Sequence, residues 1–416
     1  MIQTTQHWNA AHPNFRICLF LIIGIFLAWK YPIHRALHIT QYGLSIIFMM
    51  IGTLFLIRYG KPLFVPLVLM VWGYILQATQ QWHSPIDTNG IYQIIFPIKA
   101  WVLTKIDFYF TLPDANAFAK AMLLGEKTKM SSSIKEAYLT LGIVHIIAIS
   151  GMHLEIIYQY FQKIYNLIPY LKNEKTTKCV FLLTTVCLYT FMANASPSVV
   201  RASLFFSIYL MGQYFELHKY TLNSIASGLL IITLLNTATL FHIGWQLSYA
   251  AVLGIHFISP IIQNKLSIEN PIIQSVWKNF SITIATQLTT LPLLILYFHQ
   301  VSLWMVLSNL IMVPLSNLLL HGLVIFILSP HFFLINAWLA NIIQTYILLL
   351  HQCVAFLYQN GPSPLQMSNV QLPDIIVFYL ILLLLAIWSS KRQAHWLFWA
   401  IVLASLYFLL KLFSIG

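Results

Sequence analysis

The sequence predicts an all-α polytopic integral membrane protein with about ten to thirteen transmembrane helices, some of them broken and lining a polar pathway. Three observations predict it. The 416 residues are 59% hydrophobic and only 8% charged, against roughly 25% charged in soluble domains. Mean hydropathy is +0.79, so a water-soluble fold would expose far too much apolar surface. Long apolar runs such as "LILLLLAIW" (380–388) lack the alternation of barrel strands, which leaves helices to satisfy the backbone in lipid.

Candidate spans fall at 15–31, 42–57, 63–79, 142–161, 179–194, 198–216, 222–240, 245–263, 280–298, 301–328, 333–357, 374–390 and 395–413. Each approaches the ~20 residues needed to cross ~30 Å of hydrocarbon. The formal charge of +12 has two readings: anionic partners, or the Lys/Arg excess of cytoplasmic loops. Basic residues cluster at Arg58/Lys61, Lys172/Lys175/Lys178, Lys219, Lys265/Lys278 and Lys391/Arg392. All five clusters fall on one side if the N-terminus is cytoplasmic. The segment 80–140, the "NASPS" turn and the loop 360–373 then lie outside. The N-terminal run from Ile17 to Trp29 lacks an A-x-A site and reads as a retained span. Cys18, Cys179, Cys187 and Cys353 show no CxxC spacing and read as small apolar residues, without metal or disulfide.

The chain divides into N-terminal helices (1–79), an external amphipathic or interfacial segment (80–140), a core (141–330) and C-terminal helices (331–416). Within 80–140, "PDANAFAKAMLLG" predicts a helix with Asp114 as N-cap and Gly125 as stop. "SSSIKE" offers a capping box from Ser133 to Glu136. "IYQIIFPIKAWVL", with Pro97 in its middle, reads as interfacial.

Five segments place polar residues at membrane depth, where each is a cost to be compensated. In "HIIAISGMHLEII" (145–157), His145, Ser150, Gly151, His153 and Glu155 interrupt an apolar run. Ser150 and His153 share a helical face, with Gly151 and Glu155 on the adjacent one. Each histidine alone reads equally as a neutral packing residue. In "NASPSVVRASLFF", Ser196 caps a helix that Pro197 opens, placing Arg201 inside it, either snorkelling or facing an anion such as Glu155, Glu216 or a phosphate. Gln246 and Ser248 sit early in "HIGWQLSYAAVLGI". Gln287 and Thr290 share a face of a span that Pro292 should kink. Asn309, Asn317 and His321 lie in a stretch broken at Pro314. Each could be interhelical glue; the five together suggest a lined cavity or path.

In this order the segments resemble the ComEC family of DNA-uptake channel proteins of competent bacteria. The likeness rests on "MLLGEKTKM…GIVHIIAISGMHLEII", "ASPSVVRASLF", "GWQLSYAAVLGI" and "QLTTLPLLILYFHQVSLWMVLSNLIMVPL", over roughly 115–320. It implies an inner-membrane channel passing single-stranded DNA to the cytoplasm during natural transformation, with no cofactor. Many relatives carry an OB-like insertion after the third span and a metallo-β-lactamase-like end. Here only about sixty residues follow that span. No H-x-H-x-D-H run occurs, and Asp374 is the only acidic residue after Glu269, so the ligands of a two-metal site are missing. The resemblance therefore implies a short form, the channel alone and not an enzyme. Its partners would be a periplasmic DNA-receptor protein, a separate nuclease and a cytoplasmic ATPase or DNA-binding protein. It would sit in the lipid bilayer of the bacterial inner membrane, open to association as a homo-oligomer.

The implied DNA pathway runs along His145, Ser150, Gly151, His153, Glu155, Arg201, Gln246, Ser248, Gln287 and Asn309. Cations would meet phosphates, and aromatic faces such as Tyr158, Tyr160 and Phe161 would meet bases. Two rivals remain. "AISG" comes within one residue of the G-x-S-G signature of intramembrane serine proteases. A small-solute or lipid transporter would also need polar groups in the bundle. No Walker A motif is present, so ATP-driven pulling would fall to a partner.

Overall fold

The computed structural model describes residues 22–23, 89–168, 174–216, 221–235, 237–330, 332–367, 370–391 and 393–415. The expected spans 15–31, 42–57 and 63–79 lie outside the described residues, apart from Ile22 and Ile23, which are helical. The basic positions Arg58, Lys61, Lys172, Lys219 and Arg392 are outside them too.

Fourteen α-helices and one two-stranded ladder are described. They are α1 (Asn89–Tyr109), α2 (Pro113–Leu124), α3 (Ser132–Thr140), α4 (Gly151–Asn166), α5 (Lys175–Met192), α6 (Pro197–Tyr214) and α7 (Thr221–Leu235). Then come α8 (Ile243–Leu253), α9 (Ser259–Gln263), α10 (Pro271–Phe298), α11 (Met305–Leu328), α12 (Phe333–Asn360), α13 (Leu372–Lys391) and α14 (Ala394–Ile415). The protein is an all-α, multi-pass membrane protein. Five described stretches are long and apolar enough to cross a bilayer: 243–263, 271–298, 305–328, 333–360 and 372–389.

The chain forms two compact units. One contains Ile157–His242; the other contains Ile98–Ile156 and Ile243–Gly416. In the first, α5 and α6 form a hairpin whose turn is carried by Asn194 and Ala195 at φ 57° and 46°. Ser196 then takes an extended conformation and Pro197 opens α6, where its missing N–H costs nothing. At the other end of α5, Tyr165 from α4 lies 2.5 Å from the Thr177 hydroxyl and donates to the Glu174 carbonyl.

In the second unit, α11 and α12 pack antiparallel. Strand β1 (Gln300–Val301), just before α11, pairs with β2 (Leu365–Gln366), just after α12. His299 ends α10 in the left-handed region, and its carbonyl accepts from Met367 at 2.8 Å. That pairing holds three helix ends together.

Three local expectations are revised. The expected span 142–161 is not one helix: Val144–Ile146 is a 3-10 turn and α4 starts only at Gly151. Helix α3 begins at Ser132 after Ser131, with no side-chain cap from Ser133. Helix α2 begins at Pro113, so Asp114 lies in its first turn and does not cap it; Gly125 does end it, at φ 73°.

The prolines do not break their helices. Pro292 lies within α10 and Pro314 within α11. Tyr379 of α13 donates to the Thr289 carbonyl at 2.6 Å, and Tyr346 of α12 donates to the Leu315 carbonyl at 3.0 Å. Neighbouring helices thus supply hydroxyl donors beside each proline, as membrane-embedded helices require. The break falls instead at Gly254–Ile258, a π-helical turn between α8 and α9.

Candidate functional site

Helix α4 opens on an unusual cap. His153, in its first turn, accepts a hydrogen bond from the Ser150 backbone N–H at Nδ1, 3.2 Å away. The Ser150 hydroxyl lies 3.0 Å from the same nitrogen. The imidazole thereby fills the role of Glu or Gln in a capping box, satisfying an orphan donor ahead of the helix. Its side chain is fully buried, and among the described residues Nε2 has no hydrogen-bond partner. Ser150 and His153 do meet, but across a helix start and not along a helical face. Gly151 is the first helical residue, and Glu155 points outward and is exposed. His145 sits on the 3-10 turn and is also exposed.

A second polar cluster lies in the same unit. Gln287 of α10 donates to the Met305 carbonyl at 3.1 Å, and Asn309 of α11 donates to the same oxygen at 2.7 Å. One carbonyl at a helix start thus gathers two amides from two expected segments. The other face of Met305 meets the turn before α4. Gly142 has φ +72°, and a Cβ there would lie 2.8 Å from Met305 Cγ. Among the described residues, Gln287 Oε1 within this cluster and Ser308 Oγ next to it in sequence are buried without hydrogen-bond partners.

Gln246 accepts from the Tyr297 hydroxyl at 2.8 Å, tying α8 to α10. Ser248 is half-buried on α8. The two helices approach closely where the π turn begins: a Cβ on Gly254 would lie 2.5 Å from Thr289 Oγ1 and 2.6 Å from the Ala285 carbonyl. Sequence reasoning singled out neither Gly142, Gly254 nor Met305. Gly142 carries the helix-stop signal of a glycine just past a periodic run. A carbonyl that gathers amides leaves no mark on its own side chain.

Arg201 belongs to the other unit, where it is buried in α6, about a turn and a half from its start. Of its suggested counter-charges, Glu216 pairs with Lys175 at 2.5 Å, both 71% exposed. The hydrogen bond and charge of Lys175 hold the Glu216 carboxyl below the usual carboxylate range. Among the pathway aromatics, Tyr158 stacks at a tilt on Phe206 and Phe161 on Phe181, so both serve packing. Among the described residues, no three of His, Cys, Asp and Glu gather closely enough to hold a metal ion.

The comparisons with known proteins bear on the same stretch. The chain is 28% identical over 247 residues to ComE operon protein 3 of Bacillus subtilis (strain 168). That match covers 58% of this chain but only 30% of the relative's length. No solved structure is similar to the chain. The model of the family described as "Competence protein" matches residues 122–392, which is more than half of the chain and holds both polar clusters. The chain belongs to the competence protein family.

Proposed function

We propose that this protein is the inner-membrane channel that passes single-stranded DNA into the cytoplasm during natural transformation. One observation carries the reading: the stretch matched by the competence family is the stretch that concentrates polar groups at helix starts and turns. Irregular backbone at membrane depth is tolerated where it lines a watery cavity, and a strand of DNA needs one. The N-terminus is cytoplasmic in this reading, and the outer face receives DNA from a periplasmic receptor. Degradation of the second strand belongs to a separate nuclease, and pulling to a cytoplasmic ATPase or DNA-binding protein.

The test is a gene deletion followed with labelled DNA. Transformation should fall to background while label still accumulates outside the inner membrane. Normal transformation in the deletion strain would end the reading, and so would loss of label from the cell envelope.

The Ser150–His153 contact favours a second reading, a serine hydrolase acting within the membrane. A nucleophile needs its base aimed at Oγ. Here the same Nδ1 already accepts the Ser150 backbone N–H, a local capping arrangement. Ser150→Ala decides between them: loss of a proteolytic activity with all DNA phenotypes intact favours the protease.

A further inference from the structure

Helix α11 has two distinguishable ends, about 36 Å apart at 1.5 Å per residue. At the first end, β1 and β2 pair and Met305 starts the helix. At the second, Leu328 leads through a short turn to Phe333 and α12. The separation exceeds the ~30 Å of a hydrocarbon core.

Residues of α1 meet the second end. Lys105 Nζ donates to the Ile327 carbonyl at 3.1 Å and the Ser329 carbonyl at 2.8 Å. These are orphan acceptors at a helix C-terminus, where a cation is favoured twice over. The Phe110 ring lies 5.4 Å from Phe326, and Tyr109 lies 6.0 Å from Phe333. Gly142, thirty-two residues after Phe110, instead abuts Met305 at the first end. Between them the chain follows α12: the Leu112 N–H donates to Gln344 at 2.9 Å, and Phe118 packs edge-on against His351 at 4.9 Å.

We infer that residues 110–142 carry the chain from one face of the membrane to the other, with α2 packed within protein and 127–129 and one side of α3 exposed. This differs from the expectation that 80–140 lies wholly on the outer side. Hydropathy misses the crossing because it is broken: α2 has twelve residues, α3 nine, and "GEKTKMS" separates them. Nine of the twelve residues of α2 are buried, so its polar Lys120 meets protein and not lipid. Alanines at 115, 117, 119 and 121 let neighbouring helices approach. The charge pattern agrees. Lys265 and Lys278 flank the start of α10, and α10 ends at β1, so they share the second end with Lys105. Lys265 and Lys278 thus lie at the same end as Lys105, as the positive-inside bias favours.

Single cysteines in the full-length chain test the crossing, with Cys18, Cys179, Cys187 and Cys353 replaced by Ala. The probe positions are Thr104→Cys on α1 and Val144→Cys beyond Gly142, with Lys265→Cys and Leu365→Cys marking the two ends. A membrane-impermeant maleimide on intact spheroplasts should label Val144 and Leu365 and spare Thr104 and Lys265. Permeabilisation should then expose all four. The mirror-image split supports the crossing equally. Labelling of Thr104 and Val144 together in intact spheroplasts overturns it. If Thr104→Cys reacts in neither condition, Asp107→Cys, whose side chain is 53% exposed, is read by the same two outcomes.

Discussion

The Ser150 backbone N–H points at His153 Nδ1, and this one bond converts a histidine at membrane depth into a helix cap. Nδ1 must be an acceptor, which leaves the proton of the neutral ring on the buried Nε2. A buried donor with no partner among the described residues is a group that a passing ligand or water can satisfy.

The first prediction separates cap from nucleophile. His153→Ala removes both the cap, worth about 1 kcal/mol, and a fully buried ring, so it should lower thermal stability in detergent clearly. His153→Gln keeps an acceptor at the same helical position and should recover part of that loss. Ser150→Ala retains the backbone donor and should cost under about 1 kcal/mol. Equal losses for Ser150→Ala and His153→Ala would show that the hydroxyl, and not the backbone, matters.

A second prediction concerns three glycines in different surroundings. At Gly254 an added methyl would strike the Ala285 backbone, so Gly254→Ala should cost about 1–3 kcal/mol through overpacking. At Gly142 the obstacle is a flexible methionine, but φ is +72°, so Gly142→Ala is strained whatever the space. Met305→Ala combined with Gly142→Ala should recover only the steric part. Nothing lies within 4 Å of a Cβ on Gly212, inside α6, and Gly212→Ala should leave stability unchanged or raise it slightly. Melting temperatures of the three purified variants check the order.

Asp107 and Lys120 give a pH-dependent prediction. Partial burial alone would raise the Asp107 carboxyl, but its bonds to Lys120 at 2.5 Å and Asn116 at 3.1 Å outweigh that and hold it below the ordinary range. A depressed carboxyl stabilises the fold above its unfolded pKa of about 3.9 and stops doing so as pH falls through its lower folded value. Asp107→Asn should therefore cost stability at neutral pH, and the difference from wild type should shrink and vanish as pH falls through the folded carboxyl's lowered value. Lys120 is nearly buried but the Asp107 side chain is 53% exposed, so solvent screening keeps the loss at neutral pH modest. Adding Lys120→Met should restore most of it, because no buried charge is then left unpaired. A constant offset from pH 7 to pH 3 would point to packing.

Much of the fold was legible from apolar runs alone. The nine expected spans from 179–194 onward coincide with helices, with boundaries a few residues off, or more where Pro271 starts α10 early. The site was legible less evenly. Gln287 and Asn309 stood out as amides in apolar runs, but their shared target is a backbone carbonyl, which no side-chain pattern encodes. Pro314 misled, because α11 runs through it unbroken, and tyrosines from distant helices donate to carbonyls beside both prolines. The irregularity instead falls at the π turn from Gly254, where the backbone closely approaches Ala285, a packing contact no side-chain pattern announces. Segment 110–142 was obscured because it is broken into two short helices, and α2, packed within protein, has no need to look apolar.

Arg201 carries the sharpest functional prediction. It is the only arginine between Arg58 and Arg392, and it is 7% exposed within α6. An arginine at mid-membrane costs about 2.5–3.5 kcal/mol on insertion scales, and less near an interface. Burial in the unit argues against simple snorkelling, which would leave the head group in water. If Arg201 contacts phosphates in transit, its fixed charge and forked donors both matter. Arg201→Gln should then keep wild-type protein levels and membrane insertion and let DNA reach the periplasm. Cytoplasmic uptake should fall at least tenfold, equivalent to about 1.4 kcal/mol. Arg201→Lys should be intermediate, retaining charge but losing bidentate binding. Equal transformation by Arg201→Gln at matched abundance would make the residue structural, and the phosphate path would then run past His145 and His153 or lie elsewhere.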